Sequence, residues 1–107
     1  MCGINGILRL DGRSAPVDRE ELLRTRERMA RRGPDGAGEW VSPDGAVGLA
    51  HRRLAIIDLS PAGAQPMEWG GGRYQIVFNG EIYNYRELRE DLDRAGVPFR
   101  SHSDTEV

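Results

Sequence analysis

The only cysteine of the chain is its second residue, in the opening Met1-Cys2-Gly3-Ile4. Removal of the initiator methionine, which a small second residue such as cysteine permits, would leave a thiol and a free α-amine on one residue. Free α-amines titrate at about 7.7 to 8.0 and cysteine thiols near about 8.5, so the two exchange a proton close to neutral pH. A nucleophile of this kind carries its own base. The competing reading is an inert buried cysteine, since free cysteine is among the most buried residue types.

Acyl transfer at such a thiol needs donors for an oxyanion and charged groups that hold the substrate. Asn79-Gly80 offers a side-chain amide beside an unhindered backbone N–H, the composition of an oxyanion hole. The same dipeptide also makes a tight turn. Arg53 has the fork to grip a carboxylate in two places, although any of the other arginines has it too. Asp104 is placed either to pair with an ammonium group or to sit in the first turn of a helix. A Cys-His pair of Cys2 with His51 or His102 is the other design for a thiol hydrolase, and nothing in the spacing favours it. One cysteine and two scattered histidines make a poor metal set. Gly70-Gly71-Gly72 lacks the following helix and Lys-Ser/Thr pair of a phosphate loop, so it reads as a turn.

These residues need a scaffold, and 107 residues allow one domain. A domain of that size buries only somewhat more than about 60% of its unfolded surface. Fifteen basic residues, all arginine, against seventeen acidic ones give a net charge of −2. No nucleic-acid footprint or anionic-membrane footprint follows from that balance. A single cysteine excludes an internal disulfide, and the start has no basic region followed by an apolar run. A reduced cytoplasm is the expected location. Fourteen glycines and six prolines are spread as turn punctuation without repeats.

Cys2 to Leu10 suits a first strand, ended by Asp11-Gly12. Asp18 with Glu21 forms a capping-box pattern for a helix that should run to about Arg32 and stop at Gly33-Pro34. Gly38 to Ser42 and Ala46 to Ala50 flank the turn Pro43-Asp44-Gly45 in the manner of a hairpin. Leu54 to Ile57 is a further apolar run before a polar loop. Tyr74, Ile76 and Phe78 alternate in a strand that ends at Asn79-Gly80. Asn84 with Glu87 should cap a second helix with Tyr85, Leu88, Leu92 and Ala95 on one face, closed by Gly96. Phe99 to Ser101 reads as a short strand. Ser103 and Glu106 read as a capping box for a third helix, cut off at Val107, so an incomplete domain is expected. Two helices and about six short strands indicate an α+β fold with antiparallel strands.

Six segments in order carry a family resemblance: Met1-Cys2-Gly3-Ile4, Arg32-Gly33-Pro34-Asp35, His51 to Asp58, Gly63-Ala64-Gln65-Pro66-Met67, Asn79-Gly80-Glu81-Ile82-Tyr83-Asn84 and Ser103-Asp104-Thr105-Glu106. Together they closely resemble the amino-terminal glutaminase domain, of the type 2 glutamine amidotransferase and N-terminal nucleophile hydrolase kind, of glutamine-hydrolysing asparagine synthetases. The resemblance covers essentially the whole chain, and Arg53-Leu54-Ala55-Ile56-Ile57-Asp58 favours that branch over the sugar-phosphate and phosphoribosyl ones.

The resemblance implies a four-layer αββα sandwich, of which residues 1–107 would be the amino-terminal part. It also implies release of ammonia from L-glutamine through a thioester. By the same resemblance Cys2 would be the nucleophile and its α-amine the base, with Asn79 and Gly80 stabilising the oxyanion. Arg53 would hold the α-carboxylate of glutamine and Asp104 its α-ammonium. Leu54, Ala55, Ile56, Ile57 and Glu81 would complete the pocket, and Arg32 to Asp35 would form a loop shaping it. No cofactor or metal is implied for this step. ATP and Mg²⁺ would serve a synthetase domain, absent from these residues, that amidates aspartate or another carboxylate. A homodimer is left open, and a non-catalytic fragment that binds a partner or glutamine is the alternative.

Overall fold

The computed structural model describes residues 1–107. In chain order the elements are β1 (Gly3–Leu8), α1 (Arg19–Glu27), β2 (Gly36–Val41), β3 (Val47–Arg53), β4 (Met67–Trp69), β5 (Tyr74–Ile76) and α2 (Tyr85–Arg94), with single 3₁₀ turns at Pro61–Gly63 and Asp104–Glu106. β3 lies between β1 and β2, antiparallel to both, and β4 pairs with β5 in a separate antiparallel ribbon. The expected α+β class is thus observed, with five strands instead of about six.

The first sheet is specified by its turn and by its helix. Ser42 Oγ accepts from the Ala46 and Val47 amides at 3.0 and 2.9 Å, which closes the expected β2–β3 hairpin. Gly45 supplies the left-handed residue there, at φ +67°. Asp18 caps α1 by accepting from the Glu20 and Glu21 amides. The helix then lays Leu22, fully buried, over β3 at Gly48, where an added Cβ would lie 3.1 Å from Leu22 Cδ2. Burying one leucine is worth about 1.5 to 3 kcal/mol. Arg26 and Arg19 both pair with Glu39 of β2, tying the helix to the far strand.

α1 ends at Glu27, five residues short of the expected Arg32. From Arg26 onward the bonds tighten to three-residue spacing, Met29 to Arg26 and Arg32 to Met29, both 2.9 Å. The tightening seats Met29 on Gly3 and brings Gly33 against the Arg52–Arg53 peptide, where a built Cβ would sit only 2.3 Å from Arg52 C.

The remaining residues depart further from expectation. Leu54 to Ile57 is loop, because the Leu54 and Ala55 amides are taken by Cys2 Sγ and Asp35 Oδ2 rather than by a strand. Phe99 to Ser101 is not a strand either: the Arg100 and Ser101 amides donate to the Glu106 carboxylate at 2.7 and 2.8 Å. Glu106 is thereby unavailable for a reciprocal capping box. Ser103 Oγ still accepts from the Thr105 amide, so the serine half of the expected cap forms and is followed by one 3₁₀ turn up to Val107. Asn84 precedes α2 with ψ 23°, outside the extended geometry a capping side chain needs, and it makes no cap bond. Gly96 closes α2 at φ +81° as expected, but no residue of that helix is buried. No helix is long and apolar enough to cross a membrane.

Candidate active site

Where β1 begins, β3 ends and the 78–82 and 103–105 segments meet, the chain forms an open cavity of about 370 Å³. Cys2, Arg53, Leu54, Ile56, Ile57, Asn79, Gly80, Glu81 and Asp104 all line it. Of the ten residues expected to supply the nucleophile, the oxyanion donors and the glutamine pocket, only Ala55 is absent from the lining; its N–H donates to Asp35 Oδ2 at 2.9 Å. Asp35 also donates its own N–H to the Arg53 carbonyl, so the Arg32 to Asp35 loop braces the floor of the cavity from behind.

The Cys2 thiol is held by main chain. It accepts from the Leu54 N–H at 3.3 Å and lies 3.6 Å from the Leu54 carbonyl, while the Cys2 carbonyl accepts from Arg32 Nε at 3.1 Å. β1 pairing delivers it there, because Gly3 stands opposite Arg52 and Leu54 follows directly at the end of β3. Met1 is exposed and borders the same cavity.

Arg53 is braced by two carbonyls, Ser60 at 2.7 Å and Asp58. These use two of the five N–H groups of the guanidinium. Gly63 leaves room for this guanidinium position: a built Cβ would stand 2.3 Å from Arg53 Nη2. Asp58 in turn ties two loops together, accepting from the Ser60 amide at 2.8 Å and from the His102 amide at 2.7 Å. Hydrogen bonding from Ser60 first, and then from the His102 amide, holds the Asp58 carboxyl down at about 2.

Asp104 is buried, and its Oδ2 accepts from the Ile82 N–H at 2.9 Å. Oδ1 makes no hydrogen bond within the protein. The Asn79 side chain makes none either, although it faces the cavity. Gly80 packs under the Phe78 ring, where a built Cβ would be 2.6 Å from Cζ. Behind Asp104, Glu106 is raised by burial but lowered more by the Ser101 hydroxyl, the Arg100 and Ser101 amides and Arg89, and it remains a carboxylate below its ordinary range.

Neither histidine lines the cavity. His51 is buried beneath it on β3 with both ring nitrogens unpartnered. Burial lowers its pKa, the nearby Phe78 carbonyl opposes this without reaching hydrogen-bond geometry, and Arg53 lowers it further. It is therefore neutral at pH 7. His102 contributes its backbone to Asp58. No group of three or more His, Cys, Asp or Glu side chains is disposed to hold a metal ion.

Sequence reasoning gave no separate role to Asp58, Gln65 or Thr105. All three are buried polar residues that orient the lining. They stand in or beside the segments that carried the resemblance, and that is the one signal the sequence holds for them.

The arrangement defines a class first. The glutamine amidotransferase domain family matches residues 1–107, and the chain belongs to that family. Its relatives then narrow the branch. It is 44% identical over 108 residues to the glutamine-hydrolysing asparagine synthetase 1 of Bacillus subtilis, covering 100% of this chain and 17% of that protein. It is 37% identical over 123 residues to a putative glutamine-hydrolysing asparagine synthetase of Methanocaldococcus jannaschii, covering 100% of this chain and 23% of the relative. The amidase chry2 of Gibberella zeae is 40% identical over 115 residues, again covering 100% of this chain and 17% of the relative. The chain thus spans about a fifth of the length of the curated relatives it matches. No solved structure matches it.

Proposed function

We propose that this chain is the amino-terminal part of the glutaminase domain of a glutamine-hydrolysing asparagine synthetase and that it releases ammonia from L-glutamine. The observation that carries the reading is that Cys2, Arg53, Asn79, Gly80 and Asp104, scattered over the sequence, line one cavity. The relatives' names support the branch.

The mechanism begins once Met1 is removed, because in the encoded chain the Cys2 nitrogen is an amide and has no basic lone pair. The freed α-amine takes the thiol proton, and the thiolate adds to the side-chain carbonyl of glutamine. Asn79 Nδ2 and the Gly80 N–H receive the oxyanion. The α-ammonium returns the proton to the leaving nitrogen as the C–N bond breaks, which gives ammonia and a thioester on Cys2. The amine then deprotonates water, whose attack on the thioester yields glutamate and restores the thiol. Arg53 holds the substrate carboxylate with the guanidinium N–H groups that the Ser60 and Asp58 carbonyls leave free. Asp104 offers Oδ1 to the ammonium. Leu54, Ile56, Ile57 and Glu81 shape the wall around the side-chain amide, and Ala55 acts only through its backbone held by Asp35.

In this reading the two helices and two sheets belong to a four-layer αββα sandwich. A synthetase domain outside residues 1–107 uses ATP and Mg²⁺ to activate aspartate and receives the ammonia. A different carboxylate acceptor is the second reading, favoured by one relative named as an amidase.

Incubation of the intact protein with 6-diazo-5-oxo-L-norleucine, an electrophilic glutamine analogue, followed by intact-mass measurement, tests the site. One adduct on Cys2, blocked by excess glutamine, is expected. An unlabelled Cys2 in folded protein rejects the glutaminase reading and favours a binding module without turnover.

A further inference from the structure

Gln65 is a second polar hub in the wall of the cavity, and it touches three parts of the fold at once. Its backbone carbonyl is pressed against β2 at Gly38, where a built Cβ would lie 2.0 Å from it. Its side chain, 8% exposed, accepts from the Phe78 N–H through Oε1 at 2.6 Å and donates through Nε2 to Thr105 Oγ1 at 3.2 Å. Phe78 directly precedes Asn79, and Thr105 directly follows Asp104.

β5 ends at Ile76, so the segment carrying Asn79 and Gly80 leaves the ribbon without a strand partner. Its two ends are caught by side chains instead: the Phe78 N–H by Gln65 and the Ile82 N–H by Asp104 Oδ2 at 2.9 Å. Between those points neither Asn79 nor Gly80 donates its backbone N–H within the protein. Five residues are thus suspended from two buried side chains, with their central donors free. A primary amide is suited to the Gln65 position because it presents an acceptor and a donor side by side.

We propose that Gln65 is a positioning residue that fixes the Asn79–Gly80 donors relative to Asp104, so that oxyanion and ammonium recognition keep one separation. The assignment rests on the glutaminase reading above. It acts mainly on turnover, since the oxyanion forms only along the reaction path, whereas the ammonium is held in the ground state as well.

The test uses the intact protein with Gln65→Met, similar in length but without either hydrogen bond, and Gln65→Glu, which keeps an acceptor for Phe78 and can take the Thr105 hydroxyl as donor. Backbone amide exchange and steady-state glutamine hydrolysis are measured on both. In Gln65→Met the Phe78 amide should exchange about tenfold faster or more while the β1–β3 amides keep their protection. The kcat should fall about tenfold to a hundredfold, with KM changed by less than about threefold. Gln65→Glu should regain most of both. Thr105→Val, which removes only the second bond, should shift both readouts the same way by less, and it decides the matter should Gln65→Met not fold. Wild-type Phe78 exchange in Gln65→Met or in Thr105→Val, or a turnover in Gln65→Glu as low as in Gln65→Met, overturns the proposal. Wild-type protein that hydrolyses no glutamine would overturn the glutaminase reading instead, while the exchange data still decide whether Gln65 holds the segment.

Discussion

Residues 1–53 and residues 54–107 are held together by different physics. In the first, β3 is flanked on both sides, α1 crosses the sheet, and the fully buried Leu22 and Ala50 sit between helix and strands. In the second, β4 and β5 have three residues each, α2 buries nothing, and the ordering comes from carboxylates and one amide that capture backbone N–H groups. Asp58 takes Ser60 and His102, Glu106 takes Arg100 and Ser101, Asp104 takes Ile82, and Gln65 takes Phe78. Buried groups of this kind cost more when left unpaired than they gain when paired, so they fix geometry more than they add stability. The cavity lies on the seam: the thiol and Arg53 come from the packed side, while Asn79, Gly80 and Asp104 come from the polar one.

The contrast should show first in stability. Leu22→Ala is expected to cost about 2 to 5 kcal/mol in denaturant unfolding, whereas Leu88→Ala on half-exposed α2 should cost less than about 1 kcal/mol. Comparable losses at the two sites would erase the distinction.

On the polar side the loss should be catalytic. Asn79→Ala is expected to lower kcat by about 10² to 10³ with the fold unchanged, and a loss confined to glutamine affinity would contradict its role. Arg53→Ala, from the packed side, should act mainly on binding and raise KM for glutamine by about 10- to 100-fold; an unchanged KM counts against carboxylate recognition.

A smaller effect is expected from acid. Asp58 sits at about 2 in the folded chain against an ordinary 3.8. A lowered carboxyl stabilises the fold above the unfolded value and loses that contribution as pH falls through about 4 towards about 2. Melting temperatures between pH 6 and pH 2 should fall more steeply for wild type than for Asp58→Asn, and parallel curves would refute the coupling.

How much was legible in the sequence follows the same division. The β2–β3 hairpin, the Asp18 cap and the Gly96 stop are local chemistry, written in residues next to one another, and each formed as expected. The strand expected at Phe99 to Ser101 did not form, and of the capping box expected at Ser103 and Glu106 only the Ser103 half did. Glu106 found backbone partners five and six residues back rather than at the turn it was meant to cap. Spacing alone does not tell which N–H a carboxylate will choose. For the site, family resemblance named residues that periodicity could not, and nine of the ten it gave to the nucleophile, the oxyanion donors and the glutamine pocket line the cavity. Asp58 and Gln65 were silent because their partners, His102 and Phe78 with Thr105, are fixed only by the folded path of the chain.

The central claim is that one residue supplies both the nucleophile and its base. Intact-mass analysis of the mature protein, paired with a form carrying one extra residue ahead of Cys2, addresses it directly. The account predicts a mature chain that starts at Cys2 with a free amine, and no ammonia release from glutamine by the extended form. Ammonia release that persists with Met1 retained, or with the terminal nitrogen blocked, would contradict it.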